Sequence, residues 1–273
     1  MTEIPLGSRD DIHSGGGVGG EKSSPVAFPI PSEELGSVSI SPSGSFEAGS
    51  YQTFTLVYTA GKFGIDDSGS MRICFRFASD QTRPQFENPT GPNYTTIVAS
   101  NNAVLNYHYD PKGNVRPWDR TLYIKVVRGF LKEGDTITVK FGDKSKGSPG
   151  MRLQTFCEES YEFHTLVDPI ATYCYQPMPE QPTIKIVPGP AERFLAIGPT
   201  IRAVGEPFQI KIKGEDKWGN PTNLCDYEFD AISTCKIEGL PKKVTLKPGE
   251  FTATLSDLRL SLIHISEPTR PIR

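Results

Sequence analysis

Residues 120–141 read RTLYIKVVRGFLKEGDTITVKF, and this stretch decides the fold class. Two runs within it alternate apolar with mixed residues: Leu122, Ile124 and Val126 in the first, Ile137, Val139 and Phe141 in the second. A period of two places each apolar set on one face of a β-strand. Because KEGD at 132–135 is a turn signal, the two strands are predicted to form an antiparallel hairpin.

The same alternation recurs on both sides of this stretch. Residues 54–58 and 72–77 each carry an apolar row, and further candidate strands lie at 37–41, 95–100, 104–109, 151–156, 161–167 and 172–175. Short apolar runs separated by glycine and proline are typical of many brief strands joined by turns. The sequence therefore predicts an all-β domain over residues 36–176, an antiparallel β-sandwich of two sheets.

Two segments on either side of this domain are predicted to be irregular. Residues 1–35 contain GGGVGG at 15–20 followed by Ser, Pro and Glu, so they bury too little surface to offset their conformational entropy and are expected to form a disordered tail. Residues 177–182 read PMPEQP, and three prolines in six residues favour a stiff, extended linker.

A second, smaller module is predicted over residues 183–259. Strand alternation restarts at 183–187, and PFQIKIK at 207–213 runs into a turn with the sequence DKWGNP at 216–221, with further strands at 243–246 and 251–255. About five strand candidates compare with roughly seven in the smallest immunoglobulin-type sandwich. We therefore expect a truncated immunoglobulin-like β-sandwich.

Residues 203–221, AVGEPFQIKIKGEDKWGNP, resemble the immunoglobulin-like repeats of filamin-like and bacterial adhesin proteins. Residues 36–224 are similar to the N-terminal region of a bacterial family of unknown function, through FEAGS at 46–50, YTAGKFGIDD at 58–67, RPW at 116–118, VRGFL at 127–131 and GSPGMRLQTF at 147–156. Longer members of that family carry a downstream domain that resembles PHP (polymerase and histidinol phosphatase) hydrolases, which use bound metal. The resemblance implies an accessory region for such a domain, whose His- and Asp-bearing opening strand has no match in this sequence.

The last residues have a different origin in this interpretation. LSLIHISEPTR at 260–270 resembles the in-frame translation of a sequencing-library adapter. Residues 260–273 are accordingly expected to be foreign, and the native protein is expected to continue past Arg259 into a C-terminal domain that the first modules contact.

The residues themselves predict no catalytic, cofactor or metal site. Four histidines, His13, His108, His164 and His264, are scattered, without the short spacing usual in metal sites. His108 and His164 are expected on strand surfaces. No G-x-S-x-G motif occurs, and the five cysteines include no CxxC pair. We therefore expect a non-catalytic chain that needs no cofactor.

Two loops are candidate contact sites. Residues 142–150 combine glycines with Lys144 and Lys146, which could hold an anion, although a solvated loop is the simpler interpretation. Residues 109–119 contain Lys112, Arg116 and Trp118. An exposed Trp118 beside Arg116 could stack on a sugar or a protein, whereas burial at a sheet edge is favoured.

Charge and cysteine usage limit the partners and the compartment. A net charge of −3 gives no electrostatic footprint for nucleic acid or an anionic membrane. No signal peptide is visible and the cysteine count is odd, so a reducing cytoplasm is expected. The leading functional hypothesis is the accessory role; the alternative is a carbohydrate- or protein-binding, adhesin-like module.

Overall fold

The computed structural model describes residues 30–261, and across this range the chain consists of β-strands with two short 3-10 helices, Ser32–Glu34 and Lys144–Lys146. Nearly all strand pairs are antiparallel, so the predicted all-β sandwich class is confirmed. The chain divides into two compact units after Val187.

The first unit contains, in chain order, β1 (Gly36–Ser41), β2 (Ser45–Glu47), β3 (Tyr51–Gln52), β4 (Phe54–Ala60), β5 (Ser70–Phe75), β6 (Thr96–Ala99), β7 (Val104–Asp110), β8 (Arg120–Arg128), β9 (Thr136–Phe141), β10 (Met151–Arg152), β11 (Glu158–Glu162), β12 (His164–Asp168), β13 (Gln176–Pro177) and β14 (Thr183–Val187). A four-stranded sheet has the order β1-β4-β9-β6, and a five-stranded sheet has the order β13-β12-β5-β8-β7. Two small sheets, β11-β14-β2 and β10-β3, complete the unit.

The core of the first unit lies between the two large sheets. Phe75 of β5 meets Phe141 of β9, with ring centroids 5.7 Å apart. The inward rows of the central strands are fully buried: Phe54, Leu56 and Tyr58 in β4, Met71, Ile73 and Phe75 in β5, Leu122, Ile124 and Val126 in β8, and Ile137, Val139 and Phe141 in β9. At about 25 cal/mol for each Å² of apolar surface removed from water, this core is the main source of stability for the unit.

The predicted hairpin over 120–141 is wrong, although both of its strands exist. β8 belongs to the five-stranded sheet and pairs with β5 and β7, whereas β9 belongs to the four-stranded sheet and pairs with β4 and β6. The connection crosses between the sheets, held by a bridge between Ile65 and Leu131. Alternation is the same in either arrangement, so it could not tell two neighbouring strands from two facing ones.

The predicted linker at 177–182 and the assignment of 183–187 to the second module are corrected by the structure. Pro177 pairs with Leu166, and Met178 is buried in the first core. The Gln181 side chain exchanges two hydrogen bonds with the backbone of Thr165, of 2.7 and 3.0 Å. β14 pairs with β11 and lies parallel to β2, so the unit boundary falls after Val187.

Three other predicted strands differ from the structure, and of residues 151–156 only Met151–Arg152 form a strand. Residues 161–167 were expected as one strand, but the chain changes sheets at Phe163, between β11 and β12. Residues 172–175 form a turn because the buried Asp168 carboxylate accepts hydrogen bonds from the Thr172 amide and hydroxyl and from the Tyr173 amide. A side chain that bonds nearby backbone in this way competes with strand formation.

The predicted tail is also shorter than expected. Ile30 and Leu35 are buried in the first core, and the Leu35 carbonyl accepts a 2.9 Å hydrogen bond from the Tyr58 hydroxyl. The rest of the predicted tail, residues 1–29, lies outside the described residues. At the other end, Leu260 closes a strand and Ser261 follows it, while residues 262–273 of the expected foreign segment lie outside the described range.

The second unit contains β15 (Arg193–Ile197), β16 (Pro207–Glu215), β17 (Pro221–Thr222), β18 (Tyr227–Asp230), β19 (Ile237–Glu238), β20 (Lys243–Leu246) and β21 (Thr252–Leu260). The main sheet of this unit has the order β15-β16-β21-β19, with β17 as a fifth strand paired to β16, and β18 pairs with β20 in a separate two-stranded sheet. The small core includes Ala191, Cys225 and Leu246. The inward row of β16, Phe208, Ile210 and Ile212, is only half-buried.

The predicted turn after β16 is present and is built around Asp216. Its carboxylate accepts hydrogen bonds from the backbone of Gly189, Trp218 and Asn220 and from the Asn220 side chain, over 2.8–3.2 Å. Burial acts to raise the pKa of Asp216, but these hydrogen bonds outweigh it and the pKa is lowered. The DKWGNP turn therefore stabilises the fold of the second unit.

Candidate functional site

The outer face of the five-stranded sheet is the most unusual surface of the first unit. Its strands alternate, so residues that do not face the core share this outer face. Two cross-strand rows run over it: Leu166–Arg72–Tyr123–His108 and His164–Cys74–Thr121–Asp110. A sheet with one face on a core usually turns a polar row to water. Here we define an outer-face cluster of Arg72, Cys74, Trp118, Tyr123, His164, Leu166 and Tyr175, most of it buried.

The connection between β7 and β8, residues 111–119, covers one end of this face. Trp118 is 7% exposed and stacks on His164, with centroids 4.7 Å apart and an interplanar angle of 17°. The Asn114 amide lies 3.4 Å from the Cys74 sulfur and donates to it. Trp118 thus takes the buried placement that its sequence context favoured, and its ring is not an open platform for a sugar.

The basic residues of the same loop lie at its surface. Arg116 has a side chain 76% exposed, which pairs with Asp119 at 3.5 Å and lies 4.9 Å from the Phe77 ring centroid. Lys112 is exposed, and its backbone amide donates to Asp110. Arg76, whose side chain is 52% exposed, lies over Trp118 at 5.2 Å. The loop and the residue that follows β5 therefore present two guanidinium groups backed by aromatic rings, which orient them. Each is also paired with a carboxylate, Arg116 with Asp119 and Arg76 with Glu158 at 3.1 Å.

The centre of the face is occupied by Arg72, which the sequence analysis did not select. Its guanidinium carbon is 3.7 Å from the Tyr175 ring centroid and 5.8 Å from that of Tyr123. The Tyr175 hydroxyl is 2.6 Å from the Ser70 hydroxyl. The signal was available: Arg72 alternates with buried Met71 and Ile73 in a central strand, and Tyr123 occupies the equivalent position of β8. What sequence could not show is that 173–175 folds back to place Tyr175 on this face.

Cys74 and His164 define what chemistry the face can support. Burial raises the pKa of the Cys74 thiol to about 11, against the smaller opposing effect of its hydrogen bond with Thr121. A thiol with that pKa is protonated at neutral pH and is a poor nucleophile. His164 is held between the Trp118 ring and the Glu162 carboxylate, 2.6 Å from its Nδ1 atom. Both groups are fixed by packing.

His108 and His164 share this face, as the strand-surface prediction requires. His108 lies on β7 and packs on Tyr123 with centroids 5.1 Å apart, whereas His164 lies on β12, so β5 and β8 separate them. In residues 30–261, His, Cys, Asp and Glu side chains form no group of three or more that could hold a metal ion.

The second candidate loop, with Lys144 and Lys146, is separate from this face. It follows β9 of the other large sheet and is organised by Asp143, which accepts hydrogen bonds from Ser145 and Thr96 and pairs with Lys140 at 3.1 Å. Burial acts to raise the pKa of Asp143, but the hydrogen bonds outweigh it and hold the pKa at about 2. Lys146 lies 5.9 Å from the Tyr94 ring centroid. An anion bound by Lys144 and Lys146 would lie close to the Asp143 carboxylate, which is paired with Lys140.

Comparison with known proteins leaves the family open. No protein-family model matches the chain, and the search of curated proteins gives no significant match. Within the described part of the chain, no helix has the length and apolar character needed to cross a bilayer.

Proposed function

We propose that this chain is a non-catalytic binding region whose working surface is the outer face of the five-stranded sheet. The observation that carries this proposal is the outer-face cluster itself, where aromatic and basic side chains replace the polar row expected of a solvated sheet face. Such residues are the ones that dominate recognition surfaces, because they combine large contact area with directional hydrogen bonding.

Recognition, rather than turnover, suits the chemistry of the face. The Cys74 thiol has a raised pKa and is buried, and His164 is committed to Trp118 and Glu162. The exposed groups, Arg76 and Arg116, are guanidinium groups held over aromatic rings. These groups bind anions and planar ligands but do not abstract protons at neutral pH.

The binding test compares a variant of the two exposed arginines at the outer face with a variant of the two lysines in residues 142–150. The full chain is screened on arrays of glycans and peptides, and each hit is measured again with the double variant Arg76→Ala/Arg116→Ala. We expect the affinity to fall by about tenfold or more, the effect of losing a charged hydrogen bond. The double variant Lys144→Ala/Lys146→Ala is the matched control and should keep it. Hits that behave in the reverse way would contradict the proposal.

A second candidate function, accessory to a PHP-like metal-dependent hydrolase domain, is favoured by one feature of the second unit. The inward row of β16 and the neighbouring positions Ala253 and Leu255 of β21 remain half-buried. Half-buried apolar rows fit a module that further strands complete. The sequence resemblance to a family whose longer members carry such a domain supports the same role.

The accessory role is tested with a longer relative. Deleting the region that corresponds to residues 36–224 should raise the KM for a phosphate ester and leave kcat nearly unchanged, because binding, not chemistry, is removed. An unchanged KM would contradict it. Turnover of the same ester by the present chain alone would contradict the non-catalytic assignment.

A further inference from the structure

Arg72 is a cation without a counter-charge. Among residues 30–261 its guanidinium makes no hydrogen bond or ion pair, and its Nε atom is completely buried without a partner. Tyr175 and Tyr123 hold the group by their ring faces. An arginine has five N–H donors, and a buried donor without a partner destabilises the folded chain. A position in a central strand that keeps such a group is unusual.

A second unpaired cation lies beside it. Lys125 follows Tyr123 on the same face of β8 and stands opposite Ser70 in the register, so it is the diagonal neighbour of Arg72. In the described residues Lys125 has no ion pair either, and it is half-buried. Diagonal cross-strand neighbours are about 7–8 Å apart at their Cα atoms, within reach for two long side chains to meet one ligand group.

The surrounding groups complete the polar environment. Burial raises the pKa of Tyr175 well above its usual range, so its hydroxyl keeps its proton. Ser70 stands opposite Lys125 in the register and two residues from Arg72 on β5, and its hydroxyl is 2.6 Å from that of Tyr175, whose ring packs on Arg72. The neighbouring carboxylate, Asp168, accepts hydrogen bonds from Thr172 and Tyr173 and, among the described residues, forms an ion pair with neither cation. The side chains of Arg72, Lys125 and Ser70 therefore share the outer face of the sheet, and the Tyr175 hydroxyl joins them through Ser70.

We propose that Arg72 and Lys125, with the hydroxyl groups of Tyr175 and Ser70, form a subsite for an oxyanion, a phosphate or carboxylate group of a ligand. Arg72 supplies a planar fork that pairs with two oxygens, and its tyrosine partners fix the plane of that fork. Lys125 supplies a point charge for the remaining oxygen. The inference rests on the proposed binding role of this face and names the chemical class that its centre recognises.

The test measures binding of simple anions to the full chain by isothermal titration calorimetry. The probes are inorganic phosphate and malonate at constant ionic strength, with sodium chloride as the reference. We expect saturable binding of one or both probes, weakened about tenfold or more in Arg72→Met and in Lys125→Met. Binding of phosphate alone identifies a phosphoryl ligand, and binding of malonate alone identifies a carboxylate ligand.

Arg128→Met is the matched control, because Arg128 lies at the exposed end of the same strand as Lys125. It should bind as the unchanged chain does. Circular dichroism checks that each variant folds; if Arg72→Met does not, Arg72→Lys keeps the charge, loses the fork and should still weaken binding. The subsite would be overturned by binding of neither probe, by an affinity in Arg72→Met and Lys125→Met equal to that of the unchanged chain, or by an equal loss in Arg128→Met. The array screen above uses different probes and different residues, so its result stands apart from this one.

Discussion

The two units use the same alternating pattern and reach different degrees of burial. In the first unit the inward rows of β4, β5, β8 and β9 face a second large sheet and are fully buried. In the second unit the other sheet consists only of the two short strands β18 and β20, and the inward row of β16 stays half-buried. Alternation therefore identifies which residues share a face, whereas a second layer of sufficient area decides whether that face becomes a core.

The largest effect should come from emptying the first core. Phe141→Ala should lower the free energy of unfolding of the first unit by about 3–5 kcal/mol, because it deletes a fully buried ring. Phe208→Ala should cost the second unit about half of that or less, because its ring is already partly in water. Urea unfolding, followed by hydrogen exchange of peptides from each unit, measures both.

Leu258→Ala tests whether the smaller cost expected for Phe208→Ala comes from partial burial of that ring and not from its position in the second unit. Leu258 is fully buried in the second unit, so its truncation should cost about 2–5 kcal/mol. An equal loss of unfolding free energy in Phe208→Ala and Phe141→Ala would mean that the inward row of β16 is fully buried in solution.

The start of the first unit gives the next largest effect. Leu35→Ala should destabilise the first unit by about 2–4 kcal/mol, because Leu35 is buried beneath the Tyr58 hydroxyl. Glu33→Ala, an exposed change in the same 3-10 helix, should stay within about 0.5 kcal/mol. Thermal unfolding of both variants makes the comparison, and a neutral Leu35→Ala would restore the longer tail predicted from sequence.

Each unit also has carboxylates with a lowered pKa that should make it sensitive to acid, among them Asp143 in the first unit and Asp216 in the second. The pKa of Asp143 in the folded first unit is about 2, below the value of about 3.9 for an unfolded chain. Between these values the unfolded state binds more protons, so stability falls as the pH is lowered through that window. Asp216 in the second unit has a lowered pKa and should act in the same direction.

Asp143→Asn and Asp216→Asn test this point separately. Each variant should lose stability at neutral pH, and the acid-dependent loss should become smaller in the unit that carries the change. Unfolding free energies measured from about pH 5 to about pH 2 would show this smaller acid-dependent loss. An acid dependence that neither substitution alters would assign the effect to other groups.

The smallest effect is expected at the lysine loop. Lys144→Ala/Lys146→Ala should change the unfolding free energy of the first unit by less than about 0.5 kcal/mol, because both side chains are exposed and Asp143 organises the loop. A larger loss, measured by urea unfolding, would mean that the lysines neutralise Asp143 more strongly than Lys140 does.

Local pattern was enough to predict the long central strands and the all-β class, because alternation is a property of each segment. Pairing was not, since β8 and β9 look the same whether they are neighbours in one sheet or face each other. The unit boundary was misplaced for a related reason: PMPEQP is rich in proline, yet Met178 and Gln181 bind it to the first core. Composition alone does not record such long-range contacts.

The candidate site was predicted in part. Trp118 and Arg116 were selected because a loop with aromatic and basic residues is visible in sequence, and they do lie at the outer face. Arg72 and Tyr175 were missed because they are about a hundred residues apart and meet only when the turn after Asp168 folds back. A charged residue alternating within a central strand is the signal that could have suggested the first of them.

Hydrogen–deuterium exchange of the full chain tests the central comparison most directly. If the first unit has a closed core and the second an incompletely covered one, amides of β4, β5, β8 and β9 should exchange only through global unfolding. Amides of β16 and β21 should exchange faster, by local opening. Equal protection of the two sets would contradict the account, because it would show that the β16 row is covered as completely as the core of the first unit.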